Sequence, residues 1–330
     1  MAITAQAMVQ LEAAPSFPAM ELQPDTHSVP LPALAHIFSH RSHRVSAPSL
    51  RQKLARGEFI VAPGIQDMIT AVIAKDVGFE VVYGTGYWLT ASAYGLPDAG
   101  IASVTQMTDR MATLVRTVGS AVIADADTGY GGLLNVHHTV RAYEAAGVAG
   151  IQLEDQEFPK KCGHTPGKRI VPLEEMVTKI KVACDARSND DVLIIARTDA
   201  RQSEGYDGVM RRMEAYAEAG ADVLFPEALT SEEEMRSACA GLDAPVLANM
   251  ATGGITPILP PSKLQEIGFS VAIYPALTSL VAAAAVENAL RLLKEQDQPQ
   301  GPSTPIYDFK RFCSLIGFED VWAFDKKWLR

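Results

Sequence analysis

From residue 55 onward, short apolar runs alternate with longer amphipathic stretches. The apolar runs cover residues 59–62, 80–83, 121–124, 150–153, 192–196, 222–225, 245–248 and 269–274. Runs this short, continuous and β-branched are the pattern of strands buried on both faces. Between them, residues 135–146, 173–186 and 208–219 repeat apolar positions at helical spacing. Gly78, Gly147, Gly220 and Gly268 fall where a helix would stop. Eight strand–helix units in succession predict an α/β protein, a (β/α)8 TIM barrel. A doubly wound open sheet is the alternative, and it would need a crevice where the strand order reverses.

Most of these runs stay apolar to their last position and then turn polar. Tyr83 is followed by Gly84-Thr85-Gly86, Ala124 by Asp125-Ala126-Asp127, and Leu153 by Glu154-Asp155. Ala196 is followed by Arg197-Thr198-Asp199, Phe225 by Pro226-Glu227, and Ala248 by Asn249. In a barrel these are the C-terminal strand ends, the face that carries the active site. One such residue alone would be read as a cap or an ion pair; six strands feeding one rim are read as a functional constellation.

Composition narrows the class. With 330 residues, 48% hydrophobic and 21% charged, the chain can bury a large core. A net charge of −10 argues against binding to nucleic acid or to an anionic membrane surface. No apolar run reaches the roughly 18 residues of a membrane span. Cys162, Cys184, Cys239 and Cys313 lack CxxC spacing, which suits a reducing, cytoplasmic setting and offers no thiolate zinc site. Residues 1–50 hold six prolines and neither a secretory signal pattern nor the Arg richness of a transit peptide. They are expected to form an irregular arm that packs on the body or on a neighbouring subunit. His36, His40 and His43 fall at helical spacing and could clasp a metal, although a solvated arm is the favoured reading. The expected division is an arm over 1–50, a catalytic barrel over 51–295 and a packed tail over 296–330.

The chemistry centres on Lys160-Lys161-Cys162-Gly163-His164. Cationic neighbours favour the thiolate, and Gly163 leaves the backbone free to bend around a ligand. Asp125 and Asp127 are expected on one side of an extended segment. With Asp98 and Glu154 they would gather acids that repel unless a cation intervenes, and all-oxygen ligation suits Mg²⁺ or Mn²⁺. The alternative is that some of these acids cap helices or pair with Arg. The run Gly84-Thr85-Gly86-Tyr87 lacks the third glycine of a dinucleotide fingerprint. It is either a cradle for a carboxylate, through the Gly86 and Tyr87 amides and the Thr85 hydroxyl, or an ordinary turn. Arg197 can bind a carboxylate in bidentate fashion, Glu227 can orient it, and Asn249 and Thr256 can hydrogen-bond a second polar group.

The Lys160–His164 run resembles the active-site signature of the isocitrate lyase and phosphoenolpyruvate mutase superfamily. So do Tyr83-Gly84-Thr85-Gly86, Gly95-Leu96-Pro97-Asp98, Asp125-Ala126-Asp127-Thr128-Gly129, Glu154-Asp155-Gln156, Ala196-Arg197-Thr198-Asp199 and Asn249-Met250. The resemblance spans roughly residues 50–295 and implies Mg²⁺ held directly at Asp125 and through water at Asp98, Asp127 and Glu154. It also implies a loop that closes over substrate, with Cys162 as general acid, and a homotetramer whose paired subunits exchange a helix near 279–294. Cys162 and the text from Asn249 to Pro257 are most similar to the lyase branch that splits 2-alkylmalates, the dimethylmalate lyase and petal death protein type. The resemblance therefore implies cleavage of a 2-hydroxy dicarboxylate, of 2-alkylmalate or methylisocitrate type, into a 2-oxo acid such as pyruvate and a smaller acid. In that reading Arg197 and His164 offset the enolate charge, Lys160 belongs to the catalytic run, and Tyr83 is a candidate base. A carboxyphosphonoenolpyruvate-type mutase, an oxaloacetate hydrolase and a small-acid binding protein are the alternatives.

Overall fold

A computed structural model describes residues 48–163, 167–298, 301 and 304–329. His164 and the histidines at 36, 40 and 43 lie outside these described residues. Eight parallel strands run in the order β6-β5-β4-β3-β2-β1-β8-β7. They are β1 (Ile60–Ile65), β2 (Val81–Gly84), β3 (Ala121–Asp125), β4 (Gly150–Glu154), β5 (Leu193–Thr198), β6 (Val223–Pro226), β7 (Leu247–Asn249) and β8 (Val271–Tyr274). The remaining seam closes through a parallel bridge between Leu224 and Val246. The result is a (β/α)8 barrel, not an open sheet.

Helices follow the strands. The first, α1 (Leu50–Ala55), precedes the barrel; then come α2 (Met68–Val77), α3 (Gly86–Tyr94), α4 (Val104–Val118), α5 (Leu133–Ala146) and α6 (Leu173–Ala186). They continue with α7 (Arg201–Glu218), α8 (Glu232–Gly241), α9 (Pro261–Ile267), α10 (Leu277–Gln296), α11 (Phe309–Leu315) and α12 (Phe318–Trp328). Gly78, Gly147 and Gly268 cap their helices at φ 98°, 88° and 116°, a region that costs a side chain energy but not glycine.

Period-two alternation divides the strand residues between two cores. Outward positions such as Val82, Val122, Ile194 and Leu224 pack beneath the helices. Inward positions Ile60, Val81, Ile123, Leu193, Val223, Leu247 and Val271 fill the barrel, joined by Leu50 from α1. Ser49 caps α1, accepting from the Gln52 backbone while the Gln52 side chain returns a bond to the Ser49 N–H. Barrel packing thus begins one residue before the expected boundary at 51. At the other end, the same inward register continues into Tyr83, Asp125, Glu154, Arg197, Glu227 and Asn249.

Beyond β8, α10 buries only Ser279, and Leu280, Val281, Val286, Leu290 and Leu293 are exposed along it. The α11 segment lies against α2, where Arg311 pairs with Asp76 at 3.0 Å.

Candidate active site

The polar strand ends surround a cavity of about 320 Å³. Asp98, Asp125, Lys160, Arg197 and Asn249 form its charged and polar side, and Cys162 and Gly163 reach it from the β4–α6 connection. Trp88, Ala251, Ile273, Pro275, Ala276 and Leu280 supply an apolar wall.

Asp125 ends β3, and its Oδ1 accepts the Asp127 N–H at 3.0 Å and Gln152 Nε2 at 3.2 Å. Its Oδ2 accepts the Gly86 N–H at the start of α3, at 3.2 Å. A Cβ at Gly86 would lie 2.8 Å from that oxygen, so only glycine lets helix and carboxylate approach this closely. The sequence reading placed Asp125 and Asp127 on one side of an extended segment, and here the structure differs. Asp127 has φ 48°, because the Asp125 carboxylate curls the chain back on itself. A turn, not strand alternation, aims Asp127.

Lys160 lies between two acids, its Nζ 2.6 Å from Asp98 and 2.7 Å from Asp127. Burial disfavours its ammonium, but Asp127, Glu154, Asp98 and Asp125 outweigh that and hold its pKa well above the usual value. Burial pushes Asp127 up to about 7 against the pull of Lys160, with Asp125 and Asp98 adding to the rise. Burial also lifts Glu154 well above the carboxylate range, opposed by Arg197 and Lys160. Glu154 Oε1 is buried without a hydrogen-bond partner among the described residues, and Asp127 Oδ1 has only the Lys160 ion pair. Among the described residues no three acids, histidines or cysteines already converge as a finished ligand set. Even so, four carboxylates facing two cations, with an unpartnered buried oxygen, fit a hard divalent cation.

Arg197, at the end of β5, is held by three acids: Asp199 at 3.0 Å, Glu154 at 3.4 Å and Glu227 at 3.5 Å. Its Cζ lies 5.2 Å from the Phe225 ring centre. Burial alone would weaken the guanidinium charge, but these acids raise its pKa well above normal. Arg197 Nε and Asn249 Oδ1 are buried without hydrogen-bond partners among the described residues. Asn249 Nδ2 is taken by Glu227 at 2.9 Å.

The family model for phosphoenolpyruvate phosphomutase matches residues 50–294. The chain belongs to the phosphoenolpyruvate mutase/isocitrate lyase superfamily. It is 45% identical to 2,3-dimethylmalate lyase of Eubacterium barkeri, over 84% of this chain and 96% of that one. It is 41% identical to 2-methylisocitrate lyase of Halalkalibacterium halodurans, over 87% and 94% of the two chains. The structure of oxaloacetate acetylhydrolase in complex with 3,3-difluorooxalacetate superposes with a TM-score of 0.80 at 35% identity, covering 84% of this chain and 95% of that one. Like these relatives, the protein is an enzyme, and metal dependence is general in the superfamily.

Of the expected site residues, Tyr83, Thr85 and Tyr87 line the cavity, whereas Asp127, Glu154, Glu227 and Thr256 are not part of its lining. Thr256 is buried behind β7, beside Met250, Leu229 and Phe269, where it lines a separate small space. Glu227 is wholly buried behind Arg197 and Asn249 and orients them. Tyr83 donates its hydroxyl to Gln152 Oε1, and burial raises its pKa strongly, which keeps the phenol protonated at neutral pH and makes it a hydrogen-bond donor instead of the expected base. Thr85 precedes α3 without a side-chain capping bond, and Tyr87 stands at the cavity rim against Trp88, ring centres 4.7 Å apart. Sequence reasoning missed Gln152, which links Tyr83 to Asp125. Its signal was parity: two residues before Glu154, it shares the inward face. Trp88 and Leu280 carried no such signal, because helical apolar residues read as core.

No described helix is long and apolar enough to cross a membrane.

Proposed function

We propose that the protein is a carbon–carbon lyase that splits an alkyl-branched 2-hydroxy dicarboxylate into a 2-oxo acid such as pyruvate and a smaller carboxylic acid. One observation carries this reading: a single cavity joins the Asp125 acid cluster, the Arg197 guanidinium and the Cys162 thiol to an apolar wall. The acid end would hold Mg²⁺ or Mn²⁺ through Asp125, with Asp98, Asp127 and Glu154 around it. When bound, such a cation polarises the 2-hydroxyl and one carboxylate.

The residues of the chain then divide the work. The 2-hydroxyl proton passes to a carboxylate of the acid cluster as the C2–O bond becomes the carbonyl of the 2-oxo acid and the C2–C3 bond breaks. Arg197 receives the distal carboxylate and offsets the charge that the electron pair brings to the new enolate. Cys162 delivers its proton to that carbon, a contribution worth about 10²- to 10⁴-fold. His164, which follows Gly163, would add a second cation near the enolate. The Tyr87 amide and the Thr85 hydroxyl would hold the first carboxylate, while the Gly86 N–H, expected to share that task, donates to Asp125 Oδ2 instead.

The described lining has two cations, Lys160 and Arg197, and both already face carboxylates. Beside them, Trp88, Ile273 and Leu280 offer an apolar wall suited to the alkyl branch of a dicarboxylate. The similarity to dimethylmalate lyase agrees with this fit. Release of 2-oxo acid from a panel of 2-alkylmalates, 2-methylisocitrate and oxaloacetate tests it directly. Equal or better turnover of methylisocitrate or oxaloacetate would displace the alkylmalate reading, and no turnover of any diacid would displace the lyase.

The unpartnered apolar face of α10 supports assembly through exchange of this helix, with two exchanged pairs forming a tetramer. Of the expected arm, residues 1–47 lie outside the described residues, and the segment after 296 places α11 against α2 of its own chain. The four cysteines, none in a disulfide, are consistent with a reducing cytoplasm.

A further inference from the structure

The segment bearing Cys162 is gripped from both sides by groups that converge on one carboxylate outside the cavity. Before the thiol, Gln156 clamps the Lys161 backbone, accepting its N–H at 3.0 Å and donating to its carbonyl at 2.9 Å. The same Gln156 amide nitrogen lies 3.1 Å from Asp199 Oδ2. After the thiol, Lys168 Nζ donates to the Gly163 carbonyl and pairs with Asp199 Oδ1 at 3.1 Å. That oxygen also accepts Arg197 Nη2 at 3.0 Å.

Asp199 itself is fixed from behind. Its N–H donates to Asp155 Oδ1 at 2.8 Å, and Asp155 Oδ2 accepts Tyr216 at 2.8 Å and Arg212 at 3.2 Å. The fit on the near side is tight: a Cβ on Gly163 would lie 2.0 Å from Arg197 Nη2. The Cys162–Gly163 backbone therefore rests against the guanidinium that Asp199 holds.

We propose that Asp199, acting through Gln156 and Lys168, is a positioning residue that sets the thiol of Cys162 and the guanidinium of Arg197 in fixed register. The inference rests on the lyase reading for the roles of those two groups. A carboxylate that served Arg197 merely as a counter-ion would need no grip on the neighbouring loop. Here both flanks of the thiol are bonded to it through buried or half-buried side chains, so the proton donor and the carboxylate anchor share one fixed reference.

The test uses the full-length protein with Mg²⁺ present and the variants Lys168→Met, Lys168→Arg and Gln156→Leu. Two quantities are read: hydrogen–deuterium exchange of the peptide covering residues 157–163, and kcat against KM for the best diacid. Lys168→Met and Gln156→Leu are expected to speed exchange in that peptide about tenfold, because charge-assisted and backbone-clamping bonds are lost. They should lower kcat about tenfold while KM shifts less than about threefold, and Lys168→Arg should keep both near wild type. Exchange and kcat within about twofold of wild type in both loss variants would overturn the proposal. If no diacid is turned over, the exchange measurement still decides the anchoring, and only the lyase reading falls.

Discussion

At one end of the barrel interior, Leu50, Ile60, Ile123, Leu193 and Val271 pack into an apolar plug. Further along the same strands, the inward positions become Asp125, Glu154, Arg197 and Asn249, and the plug gives way to a cavity. Both regions obey one alternation and share one backbone ladder, yet their energetics are opposed. The apolar end is satisfied by contact alone. Among the described residues, the polar end holds buried atoms of Glu154, Arg197 and Asn249 without hydrogen-bond partners, and Asp127 and Glu154 are pushed toward their neutral forms. Stability accumulates at one end, and unmet demand for a ligand accumulates at the other.

The largest expected separation between the two comes from Cys162→Ser. Turnover should fall about 10²- to 10⁴-fold, while the thermal midpoint stays at the wild-type value. Steady-state kinetics and calorimetry on one preparation check this, and wild-type turnover would remove the thiol from the chemistry. Leu193→Ala should do the reverse, costing about 2–5 kcal/mol of unfolding free energy while kcat per folded enzyme is unchanged. Denaturant titration reads the first effect and initial rates the second.

A smaller effect follows from pH. Burial by itself would raise the pKa of Asp199, but Arg197 and Lys168 hold it down at about 2. A group depressed on folding contributes stability above its unfolded pKa, about 3.9, and loses it as pH falls toward the folded value. Asp199 should contribute on the order of 2 kcal/mol above pH 4. Asp199→Asn should flatten the stability curve between pH 4 and about 2 by one proton. An unchanged slope would show that the ion pairs do not hold in solution.

The mildest probe is Phe225→Leu, at the junction of the two regions. Loss of the ring beneath Arg197 should cost about 1 kcal/mol and raise KM severalfold with little change in kcat. A fall confined to kcat would mean that the ring acts on the reacting geometry instead of on binding.

Much of this comparison was legible in the amino-acid order. Eight apolar runs, each followed by a helical stretch, specify parallel strands with helical crossovers. The change from apolar to polar at six strand ends marks the functional face. Those are local facts of alternation and polarity, and they survive without coordinates. The closure that excludes an open sheet shows only in the Leu224–Val246 bridge. The Asp127 turn, the placement of Thr256 behind β7 and the lysine between Asp98 and Asp127 were not legible in the same way. The Asp127 turn is local, a bond from its N–H to Asp125 two residues back that strand alternation does not register. The other two depend on groups distant in sequence: the 62 residues from Asp98 to Lys160 carry no periodic signal that the two side chains meet.

The order of residues determined the elements, their sequence around the barrel and the acids, arginine and cysteine available for chemistry. Only the tertiary structure decided which of those groups share a proton, a cation or a carboxylate. Closing the barrel brings strand ends from residues 83 to 249 onto one rim, where separations of about 3 Å set charge states that no single strand encodes.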